Sequence, residues 1–231
     1  MSVLGLIPAR SGSKRIPEKN LSELHGKSLL HRTIAHANES DSIKQCWLST
    51  DSHEYAKIAC GKVVCDGLRP TDLSTDTTSD LELIKYIVRS DWFRSFENVT
   101  HIAYLRPTSP IRLKGFIDDC IELALEKNCS VRSCVKIDSH LHPYWSYKVT
   151  QKGTIVPNFS AKQMVIRSQD LPIALVVNGC VDIIKISEIS DASLYGDNIF
   201  PMIMEKDTFI DIDEPSDLLK AEQLIIKMEM K

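Results

Sequence analysis

Short apolar, β-branched segments alternate along this chain with longer segments of helical period, and that rhythm restricts the fold more than any other feature. Val3-Leu4-Gly5-Leu6-Ile7 reads as a buried first strand, followed by a loop to about Gly26. Leu29, Leu30, Thr33, Ile34 and Ala37 then share one helical face. Cys46 to Thr50 predicts a second strand, residues 53–61 a helix, and Lys62 to Cys65 a short third strand. Leu81, Ile84, Ile87 and Val88 mark an amphipathic helix, and Ile102 to Leu105 a fourth strand. Another helix follows over Phe116 to Leu125, then a fifth strand over Ser130 to Val135. Alternation at this spacing implies right-handed βαβ units. The expected class is therefore α/β, a Rossmann-like, mostly parallel sheet flanked by helices. Such sheets bind ligands beyond the carboxyl ends of their strands. The loops after Ile7, Thr50, Cys65 and Leu105 should thus face one crevice.

The rhythm breaks between about Asp138 and Leu175, where His142-Pro143-Tyr144-Trp145, Gln151-Lys152-Gly153 and Pro157-Asn158 are rich in turn formers. That stretch reads as an inserted hairpin or arm, 138–175, within a single domain spanning 1–231. Cys180 to Ile186 and Phe209-Ile210-Asp211-Ile212 are strand-like, and Leu218, Leu219, Ala221, Glu222 and Ile225 mark a closing helix. A chain of 231 residues, 43% hydrophobic and 26% charged, has the balance of an ordinary soluble protein. Its net charge of -3 offers no broad basic field, so nucleic acid is disfavoured as a partner. A few local Lys and Arg side chains still suffice for a small anion. The apolar run that Pro8 ends is too short for a signal-peptide core or a membrane span. The cysteines, 7 in all, form no Cys-x-x-Cys pair, as expected of reduced core residues in a cytoplasmic protein. His140 and His142 lack the cysteine or acidic partners of a metal site.

Chemistry concentrates in four places. The first loop, Pro8-Ala9-Arg10-Ser11-Gly12-Ser13-Lys14-Arg15-Ile16-Pro17-Glu18-Lys19-Asn20, sets basic side chains and small residues directly after a buried strand. Backbone N–H groups in such a loop cradle phosphate oxygens while Lys and Arg neutralise them. The glycines of a Walker loop or of Gly-x-Gly-x-x-Gly are absent, which disfavours an NAD-dependent Rossmann enzyme. Near the other end, Asp211 and Asp213 stand at i and i+2 and would point the same way on a strand, where a pair can share a hard cation. Asp213 or Glu214 can equally cap the last helix, with Pro215 in its first turn. After the fourth strand, Arg106-Pro107-Thr108-Ser109-Pro110-Ile111-Arg112 forms a proline-stiffened loop presenting hydroxyls and guanidiniums. Arg69-Pro70 precedes Asp76-Thr77-Thr78-Ser79-Asp80 at a helix start, where hydroxyls and N–H groups read a base or phosphate, or simply cap.

Together these segments resemble the acylneuraminate cytidylyltransferase family, over almost the whole chain. Arg10, Ser13, Lys14, Lys19 and Asn20 match its Ile-Pro-Ala-Arg…Lys…Lys-Asn signature. Arg69 with the Asp76 to Ser79 segment is similar to its nucleotide-binding segment, and Arg106 to Pro110 to its central sugar-side motif. Gln169-Asp170-Leu171-Pro172 with Asn178-Gly179 resembles a later motif, and Asp211 and Asp213 match its metal-binding aspartates. The resemblance implies a nucleotidyltransferase-type fold whose arm supports a homodimer. It implies CTP bound by Ala9, Arg10, Ser13, Lys14, Asn20, Arg69, Thr78, Ser79 and Asp80, with Arg10, Lys14, Lys19 and Asp211 in catalysis. It further implies an acidic sugar held by Arg106, Thr108, Ser109, Asn178, Asp182 and Tyr195. Mg²⁺, or Mn²⁺, would sit on Asp211 and Asp213.

Three departures stand out. Arg106 replaces a frequent Gln, Asp182 a usual Tyr, and Asp80 a small hydroxyl residue. Arg106 would suit an acceptor carboxylate. The expected reaction joins CMP from CTP to a nonulosonic acid, a sialic-acid-like sugar, with release of pyrophosphate. Its rivals are a nucleotidyltransferase for another sugar or sugar phosphate, including a GTP-using one, and a non-catalytic nucleotide-sugar-binding homologue.

Overall fold

The first strand, β1 (Ser2–Pro8), is buried along its whole middle, and for that reason its sequence is a continuous apolar run with no alternation. In the computed structural model, which describes residues 2–230, it lies within a seven-stranded sheet. The other strands are β2 (Ile43–Ser49), β3 (Val63–Val64), β4 (Val99–Tyr104), β5 (Ser130–Lys136), β6 (Leu175–Lys185) and β7 (Ile199–Met204). Their spatial order is β7-β5-β6-β4-β1-β2-β3. Parallel pairing joins β1 to β2 and β4, β2 to β3, and β5 to β7. Strand β6 runs antiparallel between β4 and β5. The sheet is thus mostly parallel, as the alternation requires.

Helices α1 (Leu29–Glu39) and α3 (Phe116–Lys127) cover one face, where Leu30, Ile34, Ile117 and Ile121 pack against Val3, Ile7, Val131 and Ile183. Helix α2 (Asp80–Arg89) covers the other, its Leu83, Ile84 and Ile87 meeting Leu4, Leu6, Ile102 and Ile184. The last helix, α4 (Pro215–Glu229), buries Ala221 and Ile225 against Ile16, Leu24, Leu29 and Ile111, and so anchors the long loop after β1. Each fully buried Leu or Ile contributes about 1.5–3 kcal/mol of transfer free energy, so the loop is held by packing as well as by polar contacts.

Three predicted elements need correction. Phe209–Ile212 is extended coil, not a strand. Its Ile212 N–H donates to the Thr108 carbonyl at 2.7 Å, and the place beside β5 is filled by Ile199–Met204. The helix expected over 53–61 closes after His53–Ala56 and gives way to turns. The strand predicted from Cys180 begins at Leu175, with a register break between Val177 and Asp182. At that break Gly179 has φ +66°, and a Cβ there would lie 3.4 Å from Arg106 Nη1. Glycine therefore serves both the left-handed backbone and the passage of Arg106. The 138–175 stretch consists of short turns and a two-stranded hairpin, Tyr147–Val149 with Ile155–Pro157.

Candidate active site

At the carboxyl end of β1 the backbone stays tethered to β2: the Ala9 N–H donates to the Ser49 carbonyl at 2.9 Å. Asp51 then accepts from the Ser11 N–H at 2.7 Å and from its hydroxyl at 2.8 Å. Asn20 is buried and donates to the Arg10 carbonyl at 2.9 Å, so the loop is closed across its own base. These bonds turn the basic side chains toward a cleft of about 570 Å³. Its walls include Arg10, Ser13, Lys14, Arg15, Lys19 and Asn20 from the first loop, and Arg69, Thr78, Ser79 and Asp80 from the region before α2. Tyr104, Arg106 and Thr108 close the third side. The loops after β1, β3 and β4 converge on the cleft as the sheet topology demands, while the loop after β2 contributes no wall residue and backs the first loop through Asp51.

The cations of the cleft are held by carboxylates. Asp76 accepts from Arg10 at 2.7 Å and also pairs with Lys14. The Lys14 bond, with help from Arg10, draws the Asp76 carboxyl below its ordinary range. Asp213 pairs with Arg15 at 3.1 Å and Lys19 at 3.2 Å, and the same Lys19 ammonium donates to the Ile212 carbonyl at 2.8 Å. Arg69 is buried and donates to the Ser49 carbonyl at 2.6 Å and hydroxyl at 3.1 Å. Burial lowers its guanidinium from the usual value, but an arginine stays charged. Ser79 forms a capping box with Glu82, which accepts from the Ser79 N–H at 2.7 Å and whose own N–H donates to the Ser79 hydroxyl at 3.2 Å. The N-terminus of α2, with its partial positive charge, therefore opens on the cleft.

At the far side, Asp80 accepts from the Tyr104 hydroxyl at 2.6 Å and from Arg106 at 2.8 Å. Arg106 also donates to the fully buried Asp182 at 2.6 Å and stacks over the Tyr104 ring at 4.6 Å. Burial opposes the Arg106 charge, yet Asp182 first, then Tyr104 and Asp80, outweigh it and hold the guanidinium above its ordinary value. Both terminal nitrogens of Arg106 are thus committed to carboxylates of the protein itself.

Several residues expected at the site lie behind it. Ala9 is fully buried and serves the loop through its backbone. Ser109 is buried in the proline-stiffened loop with no partner for its hydroxyl among the described residues. Asn178 faces inward, accepting from the Ser133 hydroxyl at 2.5 Å and the Cys180 N–H at 3.1 Å. Tyr195 reaches the cleft only through Asp182, to which its hydroxyl donates at 2.9 Å. Asp211 and Asp213 sit at the rim, where removal from bulk water and then the Asp213 charge push the Asp211 carboxyl above the aspartate range. No cluster of three or more His, Cys, Asp or Glu side chains suited to a metal occurs among the described residues. Mg²⁺ commonly takes one or two carboxylates and completes its shell with water and substrate phosphates. The aspartate pair fits such a shared ion, once Asp213 is released from Arg15 and Lys19. Arg15, Asp76 and Tyr104 join the site although the sequence pattern assigns none of them a role of its own. Arg15 lies in the basic loop, and Tyr104 carries a polar tip at the very end of a buried strand.

Comparison with known proteins bears on this arrangement. A family model described as Cytidylyltransferase matches residues 4–108. The CMP-N,N'-diacetyllegionaminic acid synthase of Legionella pneumophila is 33% identical over 97% of this chain and 97% of its own length. The chain belongs to the acylneuraminate cytidylyltransferase family. Another member of that family, the N-acylneuraminate cytidylyltransferase of Streptococcus agalactiae, is 28% identical over 95% of this chain, which spans 52% of the streptococcal protein. The solved structure of a CMP:2-keto-3-deoxy-manno-octonic acid synthetase complexed with CTP superposes with a TM-score of 0.71 at 16% identity, covering 99% of this chain and 100% of the other. That likeness shows a shared fold.

Proposed function

We propose that the chain transfers CMP from CTP to the anomeric hydroxyl of a nonulosonic acid. The acceptor hydroxyl gives its proton to solvent as its oxygen bonds to the α-phosphorus, the α–β phosphoanhydride bond breaks, and pyrophosphate leaves with the electron pair. The observation that carries this reading is the convergence of Arg10, Lys14, Arg15 and Lys19 on one cleft opposite the N-terminus of α2. Full-length similarity to a CMP-legionaminic acid synthase supports the choice of nucleotide and acceptor class. Phosphoryl chemistry of this kind needs orientation and charge neutralisation more than a covalent nucleophile. Arg10 and Lys14 exchange Asp76 for triphosphate oxygens, and Arg15 and Lys19 exchange Asp213. Arg69 adds fixed positive charge, and Arg106 with Tyr104 and Asp80 walls the acceptor end.

Metal dependence belongs to the same proposal, with Mg²⁺, or Mn²⁺, held by Asp211 and Asp213. When bound, the ion would neutralise phosphate charge and lower the pKa of the attacking hydroxyl. The arm supports a homodimer: Tyr147, Val149, Ile155, Val165 and Ile173 are all exposed, an apolar display that a second copy would cover. Among the described residues no helix is long and apolar enough to cross a membrane. A cytoplasmic location belongs to the same proposal, and the use of CTP supports it.

Pyrophosphate release across a panel of nucleoside triphosphates and sugars tests the reading. Release is expected with CTP plus a nonulosonic acid, to be abolished by EDTA and by Asp211→Ala with Asp213→Ala. Release with GTP or a sugar phosphate alone would move the chain to another specificity. No release with any pair would mark a binding homologue.

A further inference from the structure

Arg106 and Asp182, two of the departures from the family pattern, meet in space, and a third charged residue completes the group. Tyr104, Asp182 and Arg132 are register partners across β4, β6 and β5, so their side chains leave one face of the sheet in a single row. Asp182 Oδ2 accepts from Arg106 at 2.6 Å and from the Tyr195 hydroxyl at 2.9 Å. Its Oδ1 accepts from Arg132 Nε at 3.1 Å. One buried carboxylate therefore answers two guanidiniums.

The two arginines are placed differently. Arg106 is matched a second time by Asp80. Arg132 has only its Nε engaged, and its terminal nitrogens meet no protein acceptor among the described residues. Its plane rests on the Tyr195 ring at 4.1 Å, and its side chain is 22% exposed. The strand order puts it beyond Arg106, on the side away from the phosphate-binding loop of β1. A guanidinium fixed in plane, with only its Nε spent on Asp182 and two free parallel donors, is built to take a carboxylate in bidentate fashion.

We infer that Arg132 reads the carboxylate of the acceptor sugar, with Asp182 and Tyr195 as the frame that orients it. The assignment rests on the acidic-acceptor reading above and moves the carboxylate contact from Arg106 to a residue that is free to make it.

Steady-state pyrophosphate release with CTP tests this, using N-acetylneuraminic acid, a legionaminic acid and their C1 carboxamides as acceptors. Wild-type protein should prefer the acids. Arg132→Ala should raise the KM for the acid roughly ten- to hundredfold, the scale of a charge-assisted pair. It should leave the KM for CTP and the use of the carboxamide unchanged, so that the preference collapses. Arg132→Lys should recover only part of it, because a point charge cannot make two parallel bonds. Removing Arg132 leaves Asp182 bonded to Arg106 and Tyr195, so no buried charge is orphaned. Arg132→Gln, which keeps the stem over Tyr195, repeats the measurement if the alanine variant is unstable. A variant that keeps the wild-type preference for the acid overturns the assignment, and so does equal loss with acid and carboxamide. Wild-type protein that turns over neutral acceptors but no acid would instead sink the acidic-acceptor reading, and this assignment with it.

Discussion

Lys19 lies at the most constrained point of the cleft. Its side chain is 12% exposed, and its ammonium holds both the Ile212 carbonyl and Asp213. It therefore couples the β1 loop to the rim aspartates as well as offering charge to phosphate. Lys19→Ala should lower kcat/KM by about two to three orders of magnitude, the usual cost of losing one preorganised stabiliser of developing charge. Stopped-time assays beside a circular dichroism spectrum would separate that loss from unfolding; a drop under fivefold would deny Lys19 the role. The basic loop, the proline-stiffened loop and the aspartate pair were legible because each breaks an apolar pattern with residues that serve no core. Asp76 was harder to find, since on paper it is one acid among hydroxyls at a helix start. Its meaning appears only when the fold sets it against Arg10 and Lys14. Arg132 is marked in the sequence only as a charge inside the otherwise buried run of β5.

Helix α1 carries a pH-sensitive group of its own. Burial first, then the neighbouring Arg112 and Arg32, lower the His36 pKa from 6.5 to about 3. The unfolded chain thus binds a proton in a window where the folded one does not. Stability from this group is fully present above pH 6.5 and is lost as pH falls toward 3, at no more than about 1.4 kcal/mol per pH unit. Urea unfolding between pH 7 and 4 should show that slope, and His36→Gln should flatten it; an unchanged slope in the variant would exclude His36 as its source. The same scale explains which elements the sequence concealed. Phe209 to Ile212 alternates like a strand, but alternation reports an extended chain and not a vacant place in a ladder. That place went to Ile199–Met204, whose Pro201 argues against a strand on paper. As the outermost strand of the sheet, β7 has one edge unpaired, and there a missing N–H costs nothing. The strongly periodic α2 and α3 needed no such knowledge, because their faces meet whatever sheet the chain builds.

For the molecule as a whole, assembly and charge are the open quantities. If the arm joins two chains, Val149→Asp with Ile155→Asp should give a monomer by sedimentation, with the cleft unaltered and CTP still bound. A dimer that persists would place the interface elsewhere. Charge has a subtler consequence. The protein is net negative at -3, and Arg10 with Lys14 shares Asp76 while Arg15 with Lys19 shares Asp213, so the charge of these cations is partly offset by aspartates of the same chain. The cleft accordingly projects a weaker field into solvent than its basic residues alone would, and a tetra-anionic nucleotide approaches with reduced electrostatic steering. Capture then becomes a swap of one set of counter-ions for another at contact range. Its association rate should fall less between low and physiological salt than that of a bare basic funnel, which would lose most of its speed.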